Sequence, residues 1–147
     1  SPQACKAIRS LIPENTTGSI VDLGSGWGNI VFFLSRAFPK ARVTGIELSW
    51  IPWLFSHSLH FVRKQPNLKL ERNDFRKVDL SDVSIVVCYL FPAGMKQLQE
   101  KLQRELKPGT IVISNTFQVA GWTPQKTLFL RDLYNTPIYF YRTPPTQ

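Results

Sequence analysis

An α/β fold is predicted here, with a mostly parallel sheet, helices on both faces and a C-terminal antiparallel hairpin. Three features of the chain carry that prediction. Apolar segments of strand length alternate with segments of helical periodicity, a glycine-rich loop joins the first strand to the next helix, and two alternating segments close the chain around a turn. The 147 residues suit one domain, with a helix and linker over 1–18 and a proline-rich tail over 143–147 that is expected to fray.

Each element follows from a local pattern. Gln3 to Ile12 places Ala4, Ala7, Ile8, Leu11 and Ile12 at helical spacing, and Pro13 stops it. Ser19 to Leu23 is a short apolar strand entering Gly24-Ser25-Gly26-Trp27-Gly28, and Asn29 to Phe38 is the helix that follows, ended by Pro39. Ala41 to Leu48 is a second strand, Trp53 to Lys64 a helix broken by Pro66-Asn67, and Leu68 to Glu71 a third strand closed by Asn73-Asp74. Val83 to Leu90 is apolar almost throughout, as a strand buried on both faces should be. Met95 to Leu106 repeats leucine at Leu98, Leu102 and Leu106, a helix ended by Lys107-Pro108-Gly109, and Thr110 to Ser114 is a fifth strand. Thr127 to Leu133 and Ile138 to Arg142 form a hairpin around Tyr134-Asn135-Thr136-Pro137.

Composition narrows the class further. With 43% hydrophobic and 19% charged residues the chain can bury a core, so a disordered protein is excluded. No stretch approaches the roughly 18 apolar residues of a membrane span. A formal charge of +8 favours polyanions or anionic membrane surfaces as neighbours, so nucleic acid is an open partner. Cys5 and Cys88 are too few for a disulfide framework and read as thiols of a reducing, cytoplasmic compartment. The chain begins at Ser1 rather than Met, so its natural N-terminus and any targeting segment are expected to lie ahead of it.

The glycine loop separates two ligand classes. A dinucleotide fingerprint is G-x-G-x-x-G, and its third glycine would fall where this chain has Asn29. The pattern is instead acid-x-G-x-G-x-G, with Asp22 two residues before Gly24. Glycines there let a ligand approach the backbone closely, and a carboxylate suits a cationic ligand without pyrophosphate. Glu47, ending the second strand, can accept both hydroxyls of a ribose.

Asp22-Leu23-Gly24-Ser25-Gly26-Trp27-Gly28 resembles the first motif of the class I, seven-strand S-adenosylmethionine-dependent methyltransferases, which have a Rossmann-like sheet. The likeness narrows through Val43-Thr44-Gly45-Ile46-Glu47-Leu48, Pro52-Trp53-Leu54, Asp74-Phe75-Arg76-Lys77-Val78-Asp79-Leu80, Pro92, Leu106-Lys107-Pro108-Gly109, Phe117 and Gly121-Trp122. These are similar to the branch holding the mitochondrial lysine methyltransferases of the ATP synthase c-subunit and the adenine nucleotide translocase, with their bacterial relatives. The resemblance implies S-adenosyl-L-methionine as cofactor, held by Asp22, Gly24, Ser25, Gly26, Trp27, Gly28, Glu47, Leu48, Asp74 and Phe75. Asp74 is expected on the adenine amine and Phe75 against the ring. It also implies N-methylation of lysine on a protein. Two departures stand out: the hydrophobic anchor that the animal enzymes of that branch carry before the domain is not visible in this sequence, and only Thr116 to Lys126 joins the fifth strand to the hairpin, which predicts an open acceptor side.

For the acceptor, Tyr89, Phe91 and Pro92 close the fourth strand and Asn115 follows the fifth. Tyr89 can take a hydrogen bond from an amine or simply pack, and Asn115 has the same standing. Trp122, with Phe91, is expected to face the acceptor. The Asp/Asn-Pro-Pro-aromatic motif of base-amine methyltransferases is missing, which favours a lysine over RNA or a small molecule. A cofactor-binding module without catalysis of its own is the further alternative. His57 and His60 lack companions at ligand spacing, so no metal is expected and both read as helix-surface residues. Arg63-Lys64, Lys69, Arg72 and Arg76-Lys77 form a basic cluster around the third strand, either a phosphate-tracking patch or a solvated edge.

Overall fold

The computed structural model describes residues 1–144. Seven strands form one sheet in the order β3-β2-β1-β4-β5-β7-β6. In chain order the elements are α1 (Pro2–Leu11), β1 (Ser19–Leu23), α2 (Asn29–Ala37), β2 (Arg42–Glu47), α3 (Trp50–Arg63), β3 (Leu68–Arg72), β4 (Ile85–Cys88), α4 (Pro92–Glu105), β5 (Ile111–Asn115), β6 (Lys126–Phe129) and β7 (Pro137–Arg142), with a 3-10 turn at Phe75–Lys77. Strands β1 to β5 pair in parallel, while β7 runs antiparallel to both β5 and β6.

The two-residue period of the strands divides the core between the faces. Ile20, Val43, Ile85, Ile113 and Ile138 pack beneath α1 and α2, against Ile8, Val31, Phe32 and Leu34. Val21, Leu23, Val86 and Val112 point the other way, toward Met95, Leu98 and Leu102 of α4. Sheet order reverses at β1, whose two neighbours, β2 and β4, follow it on opposite sides. Ligands of such sheets sit beyond the carboxyl ends of the strands at that point, because the connecting loops there part in opposite directions.

Several boundaries differ from the sequence reading, and four of them have a plain local reason. Helix α3 begins at Trp50, three residues earlier, because Pro52 then falls in the first turn, where a missing N–H costs nothing. Strand β4 is only Ile85–Cys88, so Tyr89 and Leu90 belong to the loop that follows it. The hairpin turn is not 134–137. It spans 130–136, where Asp132 accepts bonds from the Thr136 N–H at 2.9 Å and its hydroxyl at 2.6 Å, and Pro137 opens β7. The tail does not fray at its start: Thr143 is buried, and its N–H and hydroxyl bond with Thr110, while 145–147 lie outside the described residues.

Candidate active site

The loop after β1 is shaped by its glycines. Gly24 and Gly28 hold φ of +82° and +83°, and a Cβ on Gly24 would lie 3.1 Å from the Tyr89 carbonyl oxygen and 3.2 Å from Leu90. A side chain there would therefore collide with the neighbouring loop at the reversal point. Gly24 and Ser25 donate their N–H groups to the Ile46 carbonyl, and Gly26 donates to Glu47 Oε2 at 2.8 Å. The loop is thus tied to the end of β2 by three hydrogen bonds.

Two cavities meet at Gly24. One, of about 190 Å³, lies over β2 and β3 and is lined by Glu47, Leu48, Asn73, Asp74, Phe75 and Leu90 among others. The second, of about 390 Å³, lies over β1, β4 and β5, and joins Asp22, Ser25, Gly26 and Trp27 to Tyr89, Asn115, Thr116, Leu130, Asp132 and Thr136. Residues expected to bind one cofactor are therefore brought together around one loop, although they come from three strand ends. Gly28 is the exception: it lines neither cavity and instead sits against Phe32 and Ser56 of the flanking helices.

The carboxylates differ in their partners. Asp22 is 2% exposed, and its Oδ2 has no hydrogen-bond partner among the described residues. Burial, with the nearby Glu47 carboxylate adding to it, raises its pKa to about 7. A buried, unpartnered carboxyl at the edge of a cavity fits a cationic group, and the ammonium of S-adenosylmethionine is such a group. Glu47 instead bridges its own backbone, accepting from Gly26 through Oε2 and from Ser49 through Oε1, both at 2.8 Å. It retains free lone pairs for hydroxyl donors, since a carboxylate has about four acceptor positions. Asp74 caps the 3-10 turn and grips Arg76 side-on, with Arg76 Nε 2.9 Å from each of its oxygens. Those bonds hold its carboxyl below the usual range.

On the acceptor side, Tyr89 lines the larger cavity within a cluster of three aromatic rings, while Phe91, expected to face the acceptor, lines neither cavity. Tyr89 stacks on Phe117 with ring centroids 6.2 Å apart and planes at 18°, and Phe91 leans on both. Trp122 is not part of it. It is buried on the α4 face of the sheet, edge-on to Tyr141 at 5.8 Å, because the short 116–126 connection folds over the sheet and buries the indole. Pro92 opens α4 at its first turn and lines neither cavity. Cys88, buried and free, has its thiol pushed up to about 12 by burial, so it is an inert core residue.

Three contributors escaped the sequence reading: Thr116, Asp132 and Thr136. Thr116 has φ +73°, a costly conformation for a β-branched residue, fixed by its N–H bond to the Pro137 carbonyl at 2.8 Å. Asp132 keeps its proton off more readily than usual because Thr136 donates to it. None of the three carries a motif, and Asp132 and Thr136 reach the cavity only through the pairing of β7 with β5.

Comparison with known proteins agrees with this geometry. The family profile described as "ANTKMT methyltransferase domain" matches residues 22–126. A protein-lysine N-methyltransferase of Saccharolobus islandicus is 29% identical over 126 residues, covering 83% of this chain and 77% of its own. The lysine N-methyltransferase of the ATP synthase c-subunit from Rattus norvegicus is 36% identical over 132 residues, covering 86% of this chain and 59% of its own, so the chain spans little more than half of that relative. Among solved structures, an RNA methyltransferase from Salinibacter ruber in complex with S-adenosyl-L-homocysteine superposes with a TM-score of 0.88 at 26% identity, covering 100% of this chain and 94% of that one. The profile match over residues 22–126, which takes in the glycine loop, the smaller cavity and the β1, β4 and β5 ends of the larger one, makes the chain a member of the ANTKMT methyltransferase domain family, with the Rossmann-like fold of the S-adenosylmethionine-dependent methyltransferases.

Proposed function

We propose that this chain binds S-adenosylmethionine across the two cavities and methylates the ε-amine of a lysine on a protein. One observation carries the choice of acceptor. Among the described residues, the larger cavity is lined by the carboxyls of Asp22 and Asp132 and by no Lys or Arg side chain, although the protein as a whole carries +8. With Asp22 buried and assigned to the cofactor, Asp132 is the carboxylate left facing an acceptor, and it attracts a cationic side chain and repels phosphate.

Bound S-adenosylmethionine supplies an electrophilic methyl group whose thioether leaving group needs no acid. The residues of the chain then have three tasks. Asp22 and the close approach that the glycine loop allows would orient one end of the cofactor, and Glu47, Leu48, Asp74 and Phe75 would hold the other. Tyr89, Phe91 and Phe117 give the acceptor a partly apolar approach, which favours the neutral amine that alone has a lone pair to attack with. Asn115, Thr116 and the Tyr89 hydroxyl supply the hydrogen-bonding groups nearest that approach, and Asp132 attracts the ammonium before it loses its proton.

The lysine relatives support this reading, and the full-length likeness to the Salinibacter ruber RNA methyltransferase supports RNA as the second. Transfer of radiolabelled methyl into cell extract, followed by protease or ribonuclease digestion, separates them. Label that survives ribonuclease and is recovered as methyl-lysine is the expected result, with a rate that rises above neutral pH as more acceptor is deprotonated. Label released by ribonuclease overturns the lysine assignment in favour of RNA. Cofactor binding without turnover overturns catalysis itself.

A further inference from the structure

Helix α3 is built inside out. Its one buried residue is Ser56, while Trp50, Ile51, Leu54, Phe55, Phe61 and Val62 are between 52 and 77% exposed. The inner face has a reason: a Cβ on Gly28 would lie 3.0 Å from the Ser56 Cβ, so the helix lies close on the glycine loop and admits only a small side chain. The outer face has none among the described residues. Its exposed apolar residues fall in pairs at 50/51, 54/55 and 61/62, four and then seven apart, which puts all three pairs on one side of the helix around Ser58. An exposed apolar face of this kind marks an interaction site.

We propose that this face docks on the surface of an anionic lipid bilayer. Charge complementarity selects that occupant. The helix contains no acidic residue, Arg63 and Lys64 end it, and Arg72 lies over the Trp50 ring at 3.9 Å. Lys6 and Arg36 share a groove with Phe55, Leu59 and Arg63. Tryptophan, phenylalanine and leucine between cationic residues is the composition of a helix that lies in the headgroup region, where its rings meet the acyl boundary and its cations meet phosphates. Among the described residues no helix is long and apolar enough to cross a membrane, so the contact is with the surface. A second copy is a poorer occupant, because a two-fold pairing would set this basic rim against its own equivalent. Trp27 of the glycine loop packs edge-on to Phe55 at 5.4 Å, so the face runs into the wall of the cofactor cavity.

Flotation of the whole chain with phosphatidylcholine vesicles, with and without phosphatidylglycerol, tests this with neither cofactor nor acceptor present, so the result is independent of the lysine assignment. The chain should float with the mixed vesicles alone, lose binding as salt is added, and shift its tryptophan emission to shorter wavelength when bound. The double substitution Phe61→Ser with Val62→Ser removes two exposed side chains and should leave the fold intact. It should lower partitioning by about tenfold or more, since burying one such side chain is worth about that factor. Leu133→Ser, at an exposed position in the hairpin loop, should leave partitioning unchanged. No flotation with the mixed vesicles, equal flotation with both kinds, or an unaffected double variant overturns the proposal. So does a dimer in sedimentation that the same double substitution dissolves while vesicles bind nothing, which assigns the face to a second copy.

Discussion

The two cavities that meet at Gly24 treat their carboxylates in opposite ways. Over β2 and β3, Glu47 and Asp74 are occupied by donors of the chain itself: the amides of Gly26 and Ser49 for one, Arg76 for the other. Over β1, Asp22 has an oxygen that no described residue satisfies, and burial keeps its pKa near 7. A carboxylate with internal partners shapes the loop whether or not a ligand is bound. One left without them destabilises the free protein and gains most when a cation arrives. The smaller cavity is therefore preformed, and the larger one stores binding free energy in Asp22.

The largest expected effect marks the boundary of this comparison. Trp122→Ala should cost about 3–5 kcal/mol of stability, because it empties a core site beneath the sheet, and a thermal melt will read it. If the variant melts like the parent and loses methyl transfer alone, Trp122 belongs to the acceptor side after all. Next comes Asp22→Asn, which should weaken S-adenosylhomocysteine binding by about 3 kcal/mol in calorimetry. In the free protein it should raise the melting temperature at neutral pH. The folded pKa of about 7 lies above the ordinary 3.8, so the destabilising contribution is absent below that ordinary value, grows as pH rises between the two, and is full above about 7. By the same sign, cofactor affinity of the parent should fall as pH drops through about 7, and the Asn variant should lack this dependence. A parent with a flat profile would count against the cationic partner.

Glu47→Ala should act on both properties at once. It should weaken cofactor binding by about 1.5–3 kcal/mol, and also lower stability by about 1–2 kcal/mol as Gly26 and Ser49 lose their acceptor. Loss of stability alone would reduce Glu47 to a loop tie. The smallest effect belongs to Arg76→Ala, which frees an exposed partner of Asp74 and should change cofactor affinity by no more than a few-fold. A large change would mean that Asp74 is held in its binding position by Arg76.

How much of this was legible in advance depended on the range of the interaction. The cofactor loop was readable because alternating glycines after an apolar strand and before a helix are a local pattern, and Asp22, Glu47 and Asp74 all stand at strand ends that the same pattern locates. On the other side of the loop, the residues read in advance that line the larger cavity are local too: Tyr89 after β4 and Asn115 at the end of β5. Trp122 was misplaced because an aromatic residue in a short connection looks the same whether it faces a cavity or the core, and which one occurs depends on where Tyr141 of β7 lies. The hairpin turn was misplaced for a related reason: Asn135 and Pro137 are strong local turn signals, yet the bonds from Thr136 to Asp132 make the seven-residue loop the closed unit.

By itself, then, the amino-acid sequence determined the alternating architecture, the class of ligand and which carboxylates stand around the glycine loop, since each of these rests on periodicity or spacing along one segment. Only the tertiary structure decided which of those carboxylates is left unpartnered, which aromatic residues make the slot, and that α3 turns its apolar face outward. Each of these depends on what packs against a residue from elements far away in the chain, and a hydrophobic stripe at helical spacing has the same periodicity whichever face it presents to the core.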